Sequence, residues 1–435
     1  VREEGNVTED TATSKATGDA GVRFDIVRPM GMPAAAFREL HKDAAGGAPC
    51  APTPAFAKAL PALLAERVAS RVFGNSLQEW RAVFQRALAN PCLRFVIWMA
   101  TRRCNLHCRY CVLPSEESTG KDLSTSQVRR MFDEIADDFD PAAIMVGITG
   151  GEATLRPDLV DIVGHMVRRG FRTVAVDSNG VNYGRNPDLL DRLVDAGMRC
   201  PTVSVDGTGD GQRILRGDAS AGRWTWQALE RIQARYPDLG LTTICAVSPR
   251  NLDEVPGVFQ RFEELGIRFA RLSAIFPLGR AGENRDECLA PRELWRVLAW
   301  VAEQRVAFAA GRRNIEIEFV DDGWCGLGFE GGLLRGSFMH CRAGVTVLGI
   351  EHDGRIVGCP VIHAGFNVQG DARSERVSDV WRERFKTFRD RTRLRRGPCE
   401  SCPEWSACLG GSMHDRDDDG TLVRCTSRTL QDCFR

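Results

Sequence analysis

The sequence predicts an α/β chain. A partial (β/α)6 barrel follows a mainly helical N-terminal region and precedes a cysteine-rich C-terminal extension. Three observations carry that expectation. Six short apolar runs alternate with helix-patterned stretches between residues 93 and 278, the pattern of a parallel sheet with crossover helices. Three cysteines spaced C-x3-C-x2-C, namely Cys104, Cys108 and Cys111, follow the first run; in such sheets chemistry sits at the C-terminal ends of the strands. Eight of the 16 cysteines lie at or beyond Cys325, and Cys-x2-Cys spacing in a chain of this length favours metal binding over a disulfide framework.

Residues 1–21 are polar and lack the apolar core of a signal peptide, so they read as a disordered tail. Residues 22–92 are the mainly helical region, with one strand at 22–27 and helical apolar spacing over 60–68 and 77–88. The barrel, 93–290, takes strands at 95–100, 144–149, 173–177, 202–205, 241–247 and 269–274. Ser124, with Gln127 three residues later, has the signature of a capping box and opens a helix. Residues 291–324 connect, through a helix and a short strand, to the extension at 325–435, where Asp415 to Asp419 reads as a solvated loop. Lys+Arg and Asp+Glu number 58 each, which gives no electrostatic reason to expect a nucleic-acid or membrane partner. No apolar run approaches the roughly 20 residues of a membrane span. The cysteine usage fits a reducing, cytoplasmic setting.

Three thiolates hold three irons of a [4Fe–4S] cluster and leave the fourth open to a small molecule, whereas an electron carrier ordinarily has four cysteines. A zinc site is the competing reading, with His107 as a fourth ligand. At the end of the second strand stands Thr149-Gly150-Gly151-Glu152, where glycines permit close approach and a carboxylate suits an ammonium group. The cysteine triplet, the aromatic Tyr110 before its last member, and Gly-Gly-Glu one β/α unit later together resemble the radical S-adenosylmethionine (SAM) superfamily. The resemblance implies that SAM chelates the open iron through its amino and carboxylate groups. An electron from the cluster then cleaves SAM to methionine and a 5′-deoxyadenosyl radical, which abstracts hydrogen from an unactivated carbon. It also implies that Cys104, Cys108 and Cys111 are cluster ligands, that Tyr110 flanks the adenine, and that Gly150, Gly151 and Glu152 bind the SAM amino group. Ser178 and Asn179, and Ser204 and Asp206, end the third and fourth strands and resemble family segments near the SAM ribose and carboxylate.

The C-terminal third carries a second pattern: Cys341, twelve residues, Gly354, four residues, Cys359, then Cys399-x2-Cys402-x5-Cys408, Gly410-Gly411, Cys425 and Cys433. Residues 346–357 read as a hairpin turning at Asp353-Gly354. This resembles the SPASM extension, which holds auxiliary iron–sulfur clusters, and the combined resemblance runs from about Leu93 to the C-terminus. It departs at Ser412, where the family usually has a further cysteine. Eight thiols suit two four-thiolate clusters: Cys399, Cys402 and Cys408 with one of Cys425 or Cys433 on the outer, and Cys325, Cys341 and Cys359 with the other on the inner. The alternatives are one cluster with an open iron, or two structural zinc sites. Cys50, Cys92, Cys200, Cys245 and Cys288 read as small hydrophobes, although Cys245, on a barrel strand, is also a candidate hydrogen donor.

The resemblance implies a peptide maturase that uses SAM and three [4Fe–4S] clusters. Its reaction on a ribosomally synthesised peptide is a thioether, C–C or C–O crosslink, or an epimerisation. Its partners are a precursor peptide with a leader sequence and an electron donor such as flavodoxin or ferredoxin. Residues 22–92 serve either as a leader-binding module or as a helical cap on the barrel. The alternative enzymes are a small-molecule radical SAM enzyme (sugar dehydrogenase or tetrapyrrole side-chain modifier) and a sulfatase-maturase-like formylglycine former. A non-catalytic electron carrier is disfavoured by the open iron. Candidate catalytic residues are Cys245, Asp206 and Asp322, with Arg213, Arg216, Arg271 and Asp321 as further polar groups near the site.

Overall fold

Seven strands run parallel in sequence order: β1 (Phe95–Met99), β2 (Met145–Thr149), β3 (Thr173–Ser178), β4 (Thr202–Ser204), β5 (Thr242–Val247), β6 (Phe269–Ala274) and β7 (Glu316–Phe319). The computed structural model describes residues 58, 60, 76–113, 122–320 and 323–432. The tail, the strand expected at 22–27, most of the helix expected at 60–68, Cys50, Asp321, Asp322 and Cys433 lie outside the described residues.

The six strands expected from sequence form within a residue or two of their predicted bounds, and the short strand of the connecting segment extends the barrel sheet as β7. On the other side of β1, β8 (Val347–Ile350) joins in parallel, followed by antiparallel β9 (Arg355–Val357) and β10 (Val368–Asp371). The extension therefore lengthens the barrel sheet at its β1 edge. Its hairpin turns at Asp353-Gly354 as expected, with Gly354 at φ +95°, a backbone conformation that favours glycine.

Side chains alternate along each strand. Val96 and Trp98, Val146 and Ile148, Val174 and Val176, Thr243, Cys245 and Val247, and Ala270 and Leu272 are buried in the layer between sheet and helices. The opposite face is smaller and more polar: Ser204, Ile244, Arg271 and Glu318 stand at one level across β4 to β7. Helices such as Thr125–Asp138, Leu159–Arg168 and Ala221–Arg235 cover the apolar face. The first of these carries the capping box expected at Ser124 and Gln127.

The helix Leu77–Ala89 is N-capped by Ser76 and packs on the extension. Leu77 and Trp80 join Trp324, Phe338 and Ala407 in one apolar cluster, and Phe84 stacks on His340 at 4.5 Å between centroids. The described part of the N-terminal region thus covers the cysteine-rich end, whereas Leu60 sits in the main core.

Candidate active site

The cysteine loop leaves β1 and is fixed on two sides. On one side lies the turn after β2: the Gly151 N–H donates to Thr101 O (2.7 Å) and the Glu152 N–H to Arg103 O (2.8 Å). A Cβ on Gly150 would stand 2.4 Å from Thr101 O, and one on Gly151 2.3 Å from Arg103 O. The glycines therefore admit the backbone of the cysteine loop. Because these two N–H groups are taken, the turn faces a ligand as a hydrogen-bond acceptor, which suits an ammonium. On the other side the Arg109 N–H donates to Leu215 O and the Arg280 N–H to Cys111 O, while Arg280 Nη1 donates to Cys108 O (3.0 Å). Arg109 also pairs with Glu287, a fully buried carboxylate that accepts from Ser248 Oγ and Arg250 Nε.

Burial pushes the Cys104 thiol up, against an N–H···S bond from Leu106 (3.4 Å). Burial pushes Cys108 up to about 12 against the pull of Arg216. Among the described residues no three Cys, His, Asp or Glu side chains converge as one metal ion requires, and His107 is exposed. A cluster, which takes each thiolate on a different iron, is the better match to this donor set.

Glu152 is 2% exposed and accepts four hydrogen bonds. Its Oε1 accepts from the Thr154 N–H (3.1 Å), Thr154 Oγ1 and Ser178 Oγ (2.9 Å), and its Oε2 from the Asn179 N–H (2.8 Å). Burial nevertheless leaves its carboxyl above the ordinary value. Asn179 Nδ2 donates to Asn105 Oδ1 (2.7 Å) and lies 4.0 Å from Cys104 Sγ. The structure thus brings Cys104, Glu152, Ser178 and Asn179 together. Asn105 was missed by the sequence reading, since an Asn inside a cysteine motif carries no signal of its own.

Asp206 is fully buried and binds inward. Its Oδ2 accepts from Tyr110 Oη (2.5 Å) and Arg216 Nε (2.6 Å), and its Oδ1 from the Ala246 N–H (2.9 Å). Both oxygens are occupied by the protein, and Asp206, a candidate catalytic residue from sequence, is placed to position Tyr110 and Arg216. Ser204 is half-buried at the end of β4. Cys245 is corrected too. It alternates with Ile244 and Ala246, lies with Thr243 and Val247, and is wholly buried in the apolar core, so it faces the helices and not the inner face. Arg213 is exposed and pairs with Asp210.

In the extension, Cys399, Cys402, Cys408 and Cys425 line one cavity of about 330 Å³ together with Ser412 and Asp415. Ser412 Oγ lies 3.0 Å from His414 Nδ1, and the His414 ring stacks on Phe276, beyond β6, at 4.8 Å. Asp415 is buried and paired with Arg424 (2.7 Å), so the solvated loop expected at Asp415 to Asp419 begins only at Asp417. Cys325 is buried with Arg335 Nη2 at 3.6 Å from its sulfur, and Cys341 and Cys359 are half-buried at the edge of the main core.

The radical SAM superfamily model matches residues 98–262, and that of SPASM, an iron-sulfur cluster-binding domain, residues 341–403. The chain is 26% identical over 334 residues to the AdoMet-dependent heme synthase of Methanosarcina barkeri (strain Fusaro / DSM 804), which covers 73% of this chain and 90% of that protein. It is 27% identical over 340 residues to mycofactocin maturase MftC of Mycolicibacterium smegmatis, covering 76% and 80%. Streptococcus suis SuiB bound to S-adenosylmethionine shares the fold at a TM-score of 0.61, with 14% identity and 81% of each chain covered. Among the described residues no helix is long and apolar enough to cross a membrane.

Proposed function

We propose that this chain, a radical SAM enzyme carrying a SPASM iron–sulfur domain, modifies a ribosomally synthesised peptide by an oxidative radical reaction that ends in a crosslink. The observation that carries the proposal is the second thiol set, Cys399, Cys402, Cys408 and Cys425, around one cavity. Removing a hydrogen atom from a substrate leaves a radical. Closing a new bond then releases one more electron and a proton, so an oxidative maturase needs an acceptor as well as a radical source. Cys104, Cys108 and Cys111 would hold the cluster that supplies the electron for SAM cleavage, and Cys399, Cys402, Cys408 and Cys425 would hold one able to accept the electron released.

The protein's own residues do the positioning. Glu152 is held by Ser178, Thr154 and Asn179, and Asn179 lies 4.0 Å from Cys104 Sγ, so the carboxyl is fixed on the Cys104 side of the site. The Tyr110–Asp206–Arg216 group holds the far wall of the site. The Glu287 network fixes the loop that carries Cys108. The likeness to MftC supports a maturase. A second reading, modification of tetrapyrrole side chains, is supported by the comparable likeness to the heme synthase.

Anaerobic incubation with SAM, dithionite and a short peptide encoded beside this gene tests the proposal. The expected product is lighter than the peptide by two hydrogens per crosslink and forms together with 5′-deoxyadenosine. Turnover of a carboxylated tetrapyrrole, with the peptide untouched, would replace the first reading with the second.

A further inference from the structure

Two arginines in the extension are buried without the carboxylates that buried arginines ordinarily have. Arg391 is 5% exposed and Arg416 4%. Arg391 Nη2 donates to Cys341 O (2.6 Å) and its Nε has no acceptor. Arg416 donates to the carbonyl oxygens of Gly410, Leu394 and Gly420, and its Nη2 lies 3.8 Å from Cys399 Sγ. Among the described residues neither guanidinium has an Asp or Glu partner.

Burying an unpaired charge is so unfavourable that proteins ordinarily avoid it. Carbonyl oxygens solvate a guanidinium but do not neutralise it. An anion belongs here, and the thiol within reach is Cys399, one of the four that line the cavity, whose sulfur lies 3.8 Å from Arg416 Nη2. The helix Leu77–Ala89 adds a lid, for Phe84 lies over Arg391 at 5.5 Å and lowers the local dielectric, which strengthens the field of the charge beneath.

We propose that Arg391 and Arg416 are the fixed counter-charges of a cluster held by Cys399, Cys402, Cys408 and Cys425, and that they set it as an electron acceptor. The proposal rests on the oxidative reading above. Four thiolates on a [4Fe–4S] core leave a net negative charge, and reduction adds one more. Fixed cations beside it therefore favour the reduced state and raise the potential. Arg416 acts from beside Cys399, and Arg391, bonded to the Cys341 carbonyl, adds its charge from the side of Cys341.

The experiment is an EPR-monitored redox titration of the full chain, reconstituted anaerobically. Cys104, Cys108 and Cys111 are changed to Ala so that only auxiliary signals appear, and Arg391→Met and Arg416→Met are compared with Arg391→Lys and Arg416→Lys. Each Met variant is expected to disfavour reduction at least tenfold, a fall in midpoint of 59 mV for a one-electron couple, at unchanged iron content. The Lys variants should keep most of the wild-type potential. Met variants whose midpoint does not move would overturn the proposal. If the Met variants lose iron, retention of iron by the Lys variants supports the charge role. Loss in both series overturns it, since hydrogen-bond geometry and not charge would then be what matters. A parent chain with no auxiliary iron at all would sink the oxidative reading, and the counter-charge with it, a result distinct from an unmoved potential.

Discussion

Glu152 is expected to be as much a structural anchor as a ligand-binding residue, and Glu152→Gln separates the two. The carboxylate accepts four hydrogen bonds, three on Oε1 and one on Oε2. In the glutamine variant the favoured orientation keeps the carbonyl oxygen among Thr154 and Ser178, which turns the amide NH2 toward the Asn179 N–H. One bond to a charged acceptor is lost, worth about 1.5–3 kcal/mol, and a buried donor is stranded, at about 1–3 kcal/mol. Against this, the neutral amide avoids the desolvation that raises the Glu152 carboxyl. The net expectation is about 3 kcal/mol of lost stability, a large share of the roughly 5–15 kcal/mol a domain has. Anaerobic urea denaturation of the iron-free protein, followed by the fluorescence of buried Trp98 and Trp226, measures it without SAM present. A variant within about 0.5 kcal/mol of the parent, the range of an ordinary surface change, would refute the anchoring argument and leave Glu152 a ligand-binding group alone.

Changing Cys104, Cys108 and Cys111 together to Ala should abolish 5′-deoxyadenosine formation and leave auxiliary iron in place; continued SAM cleavage would show that the radical site lies elsewhere. Ser412→Ala should leave the iron content unchanged, because four thiols already line the cavity; loss of about one cluster's worth of iron would make Ser412 a ligand. Asp158 sits under a bidentate Arg156 and accepts from Thr125. Burial pulls its carboxyl up, but those bonds and the Arg156 charge outweigh burial and hold it below the ordinary value. Its contribution is therefore complete above the unfolded pKa of about 3.9 and is lost as pH falls through the lower folded value. Asp158→Asn should cost about 1–2 kcal/mol at neutral pH and flatten the acid limb of the stability curve; an unaltered acid limb would contradict the sign.

The barrel was legible because its strands carry apolar residues at least at every second position, as in Phe95–Met99 and Thr242–Val247, and are set off by turns, and because Ser124 and Gln127 announce a helix start. The cysteine triplet and Gly-Gly-Glu were legible because their spacing is short and local. What sequence did not reveal is which way a side chain faces when both faces of a strand are apolar. Cys245 sits between Ile244 and Ala246, and nothing in that run says that it turns toward the helices. Nor did it reveal contacts made over long separations. Glu287 reaches Arg109 across 178 residues, and an isolated Glu near a short helix carries no pattern. Arg391 belongs to a run of five arginines between 389 and 396 that reads as a solvated basic stretch, yet Arg391 itself is turned inward beneath Phe84.

Ser412 shows why the departure from the family pattern need not be a defect. A thiol at that position would stand in the cavity that Cys399, Cys402, Cys408 and Cys425 already line. With Cys425 brought in from the start of the last helix, four thiols are present without it. The freed position is put to a different use: the Ser412 hydroxyl lies against His414 Nδ1, the His414 ring lies flat on Phe276, and Arg424, next to Cys425, covers the other approach to Phe276 at 5.1 Å. Phe276 follows β6, so this stack fastens the cavity wall to the mouth of the barrel. The Ser412–His414–Phe276 stack is thus a contact between the two sites, and on this argument His414→Ala should loosen the extension from the barrel while leaving its iron in place. Iron lost from that variant would mean instead that the stack supports the thiol cavity itself.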